Sequence, residues 1–108
     1  MKECKRKRID WEKTGKNLQL LRIDNISLRR CVCNALNCDK GQCNGQCNVC
    51  RFEMDISISR MELTKVFNVS ESVIFNWENG KTPVPVEDLL FYCQLADVDL
   101  EDVLVFRD

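Results

Sequence analysis

The chain has 108 residues, of which 44% are hydrophobic and 31% charged, and its formal net charge is −1. This length allows one small domain with a modest core. No apolar run approaches the roughly 20 residues of a membrane span, and the basic N-terminus lacks the apolar stretch of a secretory signal. We therefore expect a soluble cytoplasmic protein with no membrane partner.

The charges are distributed unevenly along the chain. Residues 1–30 carry ten Lys or Arg against four Asp or Glu, whereas residues 59–108 carry four against ten. Residues 1–13 form a basic N-terminal arm that contains Lys5, Arg6, Lys7 and Arg8. A basic segment on an acidic body is typical of a local contact with a polyanion, so we expect these four side chains to contact one. The alternative is a solvated, disordered tail.

Residues 14–30 are predicted to form the first helix of the domain. Thr14 is placed to cap free backbone amides at its start. Leu18, Leu21 and Ile23 then provide a partial apolar face, with Arg22 beside it. We expect this face to pack against the rest of the domain.

Residues 31–55 form a predicted insert that is rich in Cys, Asn, Gly and Gln and poor in large apolar residues. Such a segment cannot bury a core, so something other than the hydrophobic effect must order it. Without a secretory signal, thiolate metal ligands are favoured over disulfides. Six of the eight cysteines of the chain are the predicted ligands: Cys31, Cys33, Cys38, Cys43, Cys47 and Cys50.

The spacing of these cysteines suits a soft metal ion. Cys47 and Cys50 form a two-ligand CxxC knuckle, and Cys31 with Cys33 forms a tighter clip. Four thiolates complete one tetrahedral zinc site, and zinc is the metal we expect. The alternatives are two zinc ions with bridging sulfurs, an iron–sulfur cluster, a copper(I) cluster, or disulfides and free thiols.

A redox enzyme that uses Cys47 and Cys50 is a further class to weigh. A CxxC catalyst normally lies at a helix start in an α/β fold, and no strand alternation surrounds this pair. The chain has no histidine, no Ser/Asp constellation and no phosphate-binding loop. We therefore expect neither an enzyme nor a small-molecule substrate. Cys93 lies on an apolar helical face and is interpreted as a core residue, and nothing assigns a role to Cys4.

Residues 56–108 have the pattern of consecutive short helices, so the predicted fold is all-α. Ser59 and Glu62 form a capping box, and Asn68 tolerates the left-handed backbone of a sharp turn. Ser70 and Asp99 are predicted helix caps, and Gly80 a helix end. Helical spacing predicts these inward residues: Leu63, Phe67, Val73, Ile74, Trp77, Val86, Leu89, Leu90, Cys93, Ala96, Leu100, Val103 and Leu104.

The two helices between Ser59 and Asn79, joined at Phe67-Asn68-Val69, have the size of a helix-turn-helix. The longer string from Ser59 to Val105, with its Ile74-x-x-Trp77-Glu78-Asn79-Gly80-Lys81 segment, resembles the lambda-type phage repressor and Cro (XRE) family. Thr14-Gly15-x-Asn17-Leu18 matches the first helix of that family in part. The resemblance implies a five-helix lambda-repressor-like domain, here with a Cys-rich metal-binding insert. It also implies binding to double-stranded DNA, usually as a homodimer. DNA is therefore the polyanion that we expect Lys5, Arg6, Lys7 and Arg8 to contact.

By position, the resemblance makes Glu71–Glu78 the recognition helix, with Glu71, Ser72, Phe75 and Asn76 facing outward. Asn76 can form two hydrogen bonds with adenine, and Ser72 can serve a base or a phosphate. Phe75 can pack against a thymine methyl group, and Glu71 can accept from a cytosine amino group. We therefore predict a sequence-specific transcriptional regulator.

Three further residues take roles from the same resemblance. Arg60 and Lys81 match positions at which the family contacts phosphates. Glu78 matches a structural acid that pairs with an arginine, such as Arg22. Trp77 and Ile74 are interpreted as core residues.

A protein-binding module, such as the antitoxin of a toxin–antitoxin pair, is the alternative function. The predicted recognition helix carries no Lys or Arg, so its attraction to phosphates must come from elsewhere. Val66 and Phe75 are apolar at positions expected to face outward. Exposed apolar residues can mark a protein-binding face, to which the insert would also contribute.

Overall fold

A computed structural model describes residues 6–37 and 57–107 of the chain. This part is mostly helical, in agreement with the all-α prediction, and its one sheet is a pair of two-residue strands. Across the same residues, no helix has both the length and the apolar character that a bilayer crossing needs. The elements are β1 (Arg8–Ile9), α1 (Trp11–Asp24), α2 (Ile26–Asn37), α3 (Arg60–Phe67), α4 (Glu71–Glu78), α5 (Val86–Ala96), α6 (Leu100–Val103) and β2 (Phe106–Arg107).

Helix α1 begins at Trp11 and is capped by Asp10, so the prediction that Thr14 caps it is wrong. The Asp10 carboxylate accepts a hydrogen bond of 3.1 Å from the Lys13 N–H. Thr14 is fully buried, and its hydroxyl accepts a hydrogen bond of 3.0 Å from the Val105 N–H. Residues 6–13 of the predicted basic arm therefore include strand β1 and the beginning of α1.

Strands β1 and β2 are antiparallel and bring together the two ends of the described chain. Arg8 lies opposite Arg107, and Ile9 lies opposite Phe106. The Asp10 N–H donates a hydrogen bond of 2.7 Å to the Val105 carbonyl, which continues the pairing. The sequence does not reveal this ladder, because two residues are too few to show a strand's alternation.

Helix α2 continues through Cys31 and Cys33 to Asn37, so the expected insert boundary at Cys31 falls inside a helix. Asn25 stabilises its start, where the side-chain oxygen accepts a hydrogen bond of 2.7 Å from the Leu28 N–H. Leu28 and Val32, one helical turn apart, are fully buried. The sequence did not predict this helix, because its apolar face begins before residue 31 and the composition of residues 31–55 is polar.

Helices α3 and α4 are joined by a sharp turn at Asn68, as the sequence predicts. Asn68 has a left-handed backbone, with φ 56° and ψ 46°. The predicted capping box between Ser59 and Glu62 begins α3, and the Ser70 hydroxyl caps α4 through the Val73 N–H. These caps satisfy free amides at the first turns of both eight-residue helices, which explains why the local sequence predicts where they begin.

An aromatic cluster lies at the centre of the core. The ring centroid of Phe67 is 5.9 Å from that of Trp77 and 4.5 Å from that of Tyr92. The ring centroid of Phe91 is 5.0 Å from that of Phe67. These rings join α3, α4 and α5 into one body.

The buried face of α5 is rotated from the predicted one. Leu89 and Cys93 are buried as expected, but Val86 and Leu90 are 62% and 51% exposed. Tyr92, which is fully buried, lies on the face that packs inward. A large aromatic ring buries more apolar surface than valine does, and so determines how the helix is turned.

Two glycines allow the backbone of α1 to lie very close to α4 and to the residues that follow it. A Cβ atom at Gly15 would overlap the carbonyl oxygen of Trp77 and lie 2.8 Å from that of Glu78. Gly80 ends α4 with φ +71°, and a Cβ atom there would lie 2.6 Å from the Glu12 Cα. Only glycine fits at these two contacts without a shift of backbone.

Candidate functional site

Helix α4 presents a mixed polar and aromatic face to solvent. Glu71, Ser72 and Phe75 are exposed and Asn76 is half-buried. These four residues line a shallow depression of about 450 Å³. The opposite face of the helix is buried, so the predicted outward set is the set that is accessible.

Two cations flank the aromatic ring on this face. The Arg60 guanidinium carbon and the Lys81 Nζ each lie 5.1 Å from the centroid of the Phe75 ring. Cations at this distance are attracted to an aromatic ring, by about 0.5–1 kcal/mol at exposed sites. The positive charge that α4 itself lacks is therefore supplied by α3 and by the segment after α4.

A buried carboxylate holds one of these cations in place. Glu78, whose side chain is 1% exposed, accepts hydrogen bonds from the Nε of Arg60 at 2.9 Å and the Nε of Arg22 at 2.7 Å. Arg22 also donates to the Ile58 carbonyl at 2.8 Å. The predicted pairing of Glu78 with Arg22 is confirmed. Arg60, predicted as a phosphate contact, commits one of its five N–H groups to this carboxylate.

The polar side chains of the α4 face differ in their hydrogen bonds. Among residues 6–37 and 57–107, the side chains of Ser72 and Asn76 make no hydrogen bond. The neighbouring Asn79 instead donates its amide to the Phe75 carbonyl at 2.8 Å. Asn76 therefore has both a donor and an acceptor available to a ligand.

A second surface lies beside strands β1 and β2, and the sequence predicted only part of it. An open groove of about 520 Å³ is lined by the cations Arg6, Lys7, Arg8 and Arg107. The three arm residues belong to the predicted DNA contacts, whereas Lys5 lies outside the described residues. Arg107 was missed, because nothing in the sequence shows that it pairs with Arg8 across the ladder.

The six predicted metal ligands divide into two groups. Cys31 and Cys33 are in α2, whereas Cys38, Cys43, Cys47 and Cys50 lie outside the described residues. Cys31 is exposed, but Cys33 is 1% exposed and belongs to the core. Side chains two positions apart are rotated by about 200° around the helix axis and lie on opposite faces, so the predicted clip of Cys31 with Cys33 does not form in this helix. No group of three or more possible ligands occurs within the described ranges.

Two buried groups in α5 have altered acidity. Burial raises the pKa of the Cys93 thiol, and the charges of Asp99 and Asp102 add to this effect. Burial also raises the pKa of the Tyr92 hydroxyl, assisted by the nearby Glu78 carboxylate. Both groups are therefore neutral at ordinary pH, in agreement with the interpretation of Cys93 as a core residue.

Comparison with models of protein families, with curated proteins and with solved structures finds no match to this chain. The functional proposal is therefore carried by the α4 face, its two flanking cations and the groove beside it.

Proposed function

We propose that this chain is a sequence-specific DNA-binding transcriptional regulator, in which α3 and α4 form a helix-turn-helix and α4 reads base edges in the major groove. The observation that carries the proposal is the accessible face of α4. It offers a hydroxyl, an amide and an aromatic ring on one helix, and an α-helix has the width that fits the major groove.

The charges around α4 support this proposal over a purely structural hairpin. Arg60 and Lys81 lie beside Phe75, and we expect both cations to contact phosphates of the duplex that α4 reads. Such contacts orient a protein on the duplex, and base contacts then specify the sequence. The acidic remainder of residues 59–108 makes these cations more important for affinity.

Selection from a random pool of DNA duplexes tests the proposal. The purified full-length chain is expected to enrich one motif, with its strongest base preferences at positions that α4 contacts. The selection is run in reductant with zinc present. A pool that shows no enrichment after several rounds contradicts the proposal.

A protein-binding module such as an antitoxin is the second candidate. The observation that favours it is Phe75, an aromatic residue that is 39% exposed. Phe75→Ser separates the two functions. If the chain binds DNA, the substitution alters the base preference at a thymine position. If the chain binds a protein partner, the substitution abolishes that complex and has no effect on DNA binding.

We further propose that the cysteines bind zinc, with Cys31 as a ligand and Cys33 outside the ligand set. The exposure of Cys31 and the burial of Cys33 support this division. The remaining ligands are drawn from Cys38, Cys43, Cys47 and Cys50, and four thiolates satisfy a structural zinc ion. Elemental analysis of protein purified without added metal tests for zinc, and iron or copper would contradict it.

A further inference from the structure

Two arginines oppose each other across the only ladder in the described part of the chain. Arg8 and Arg107 are direct cross-strand partners, and both are exposed. Like charges placed directly opposite in a sheet repel each other and destabilise the pairing. In a ladder of two residue pairs this repulsion affects half of the pairs, so an anion bound between the two guanidinium groups would stabilise it.

The surroundings of this pair increase the positive charge. Arg6 and Lys7 line the same groove, and Glu12 is the single carboxylate in its lining. All of these side chains are exposed. A concave surface with four cations and one carboxylate attracts and concentrates anions. Arginine is also well suited to phosphate, because its planar N–H groups form paired hydrogen bonds with phosphate oxygens.

The groove and the exposed face of α4 are connected through two consecutive residues, Gly80 and Lys81. Gly80 lines the groove, and the next residue, Lys81, places its ammonium over the Phe75 ring. The Lys81 N–H is held by the Asn76 carbonyl at 2.9 Å. The consecutive residues Gly80 and Lys81 therefore link the lining of the groove to the α4 face.

We infer that Arg8 and Arg107, with Arg6 and Lys7, form a phosphate-binding site for the backbone of the same DNA duplex whose bases face α4. This inference rests on the proposed function and deepens it, since it assigns a DNA contact to the C-terminal strand. The site supplies affinity without sequence preference and offsets the acidic charge of residues 59–108.

The test compares the full-length chain with Arg107→Gln and with a matched control, Lys65→Gln. Lys65 is an exposed cation in the last turn of α3 and does not line the groove. Dissociation constants are measured from 0.05 to roughly 0.4 M salt on the selected duplex and on a scrambled duplex. We expect Arg107→Gln to lower the salt slope by about one and to weaken both duplexes on the order of 5–10-fold at 0.1 M salt. Lys65→Gln should match the parent chain.

Two further variants distinguish a phosphate contact from a structural role. Arg107→Lys keeps the charge and should recover most of the salt slope. In the double variant Arg8→Gln/Arg107→Gln, the loss should be smaller than the product of the two single losses, because both side chains serve one site. Thermal unfolding without DNA should show that Arg107→Gln is at least as stable as the parent, since a like-charge repulsion is removed.

The measurements distinguish failure of the phosphate site from failure of sequence reading by α4. A salt slope of Arg107→Gln equal to that of the parent chain on both duplexes overturns the phosphate site, even if the selected duplex is still preferred. Equal affinity of the parent chain for the selected and scrambled duplexes overturns sequence reading by α4, while a lowered slope of Arg107→Gln would still support the phosphate site.

Discussion

The Glu78 carboxylate and the Arg22 guanidinium form two hydrogen bonds, of 2.7 and 3.1 Å, between α4 and α1. Both side chains are largely buried. Arg60 of α3 bonds to the same carboxylate, so one acid joins three helices. The orientation of the α4 face therefore depends on a carboxylate that is itself buried.

Glu78→Gln should lower the free energy of unfolding by about 3–5 kcal/mol, because a buried arginine loses its charge partner. Urea denaturation monitored by circular dichroism measures this. Glu87→Gln, which removes an exposed carboxylate in the first turn of α5, is the control and should change stability by less than about 0.5 kcal/mol. Equal stability of the two variants would show that the buried pair contributes nothing.

Gly15→Ala should destabilise the domain by about 1–3 kcal/mol, because its methyl group would overlap backbone of α4. This sign is diagnostic, since alanine is normally favoured over glycine inside a helix by about 1 kcal/mol. Lys16→Ala, at the adjacent exposed position, should have little effect. Thermal unfolding of both variants checks the prediction, and a gain in stability for Gly15→Ala would contradict the close packing of α1 on α4.

Tyr92→Phe should raise stability near pH 7 by about 1 kcal/mol, because the hydroxyl is buried without a hydrogen-bond partner among the described residues. The effect should grow in alkali. The pKa of Tyr92 is raised by burial in the folded state, so its ionisation does not lower stability at any pH well below the unfolded-state pKa, about 10. Above that pH the unfolded chain ionises first, and the parent should lose up to about 1.4 kcal/mol per pH unit relative to Tyr92→Phe. Parallel stability curves up to pH 11.5 would contradict this.

Asn76→Ala should weaken binding to the selected duplex by about 1–3 kcal/mol and remove the preference for one base pair. Binding to duplexes that differ at each position in turn measures this. Asn79→Ala is the matched control, since its amide is bonded to the Phe75 carbonyl, and it should retain the base preference. A uniform loss across all sequences for Asn76→Ala would indicate a phosphate contact instead.

Cys31→Ser should reduce the zinc bound per chain, whereas Cys33→Ala should leave it unchanged and lower stability, because Cys31 is exposed and Cys33 is buried in the core. Zinc content and urea denaturation are measured on both variants in reductant. Zinc loss in Cys33→Ala without loss of helical signal would return Cys33 to the ligand set.

The sequence predicted the helical part of the fold well where local chemistry determines it. The capping box at Ser59, the left-handed turn at Asn68 and the glycine at the end of α4 are features that short-range hydrogen bonds and backbone sterics dictate. The boundaries that were wrong depend on distant residues. Thr14 is held by Val105, which is 91 positions away, and no local pattern reports such a contact.

The candidate site was predictable in part. Helical geometry identified the exposed face of α4, and the resemblance anticipated the pairing of Glu78 with Arg22. It did not predict that Arg60 and Lys81 would flank Phe75, since this depends on the angle between α3 and α4. The exposed Val86 and Leu90 show the same limit, because apolar spacing alone does not tell which of two overlapping helix faces packs inward.

The short ladder between β1 and β2 also has a kinetic consequence. Its strands come from opposite ends of the chain and are held by few hydrogen bonds, so they can separate while the helical core stays folded. Local fraying of this kind makes the groove a transient structure whose lifetime an anion would extend. Amide hydrogens of Asp10 and Val105 should therefore exchange faster than those of α4, and slow down once DNA is bound.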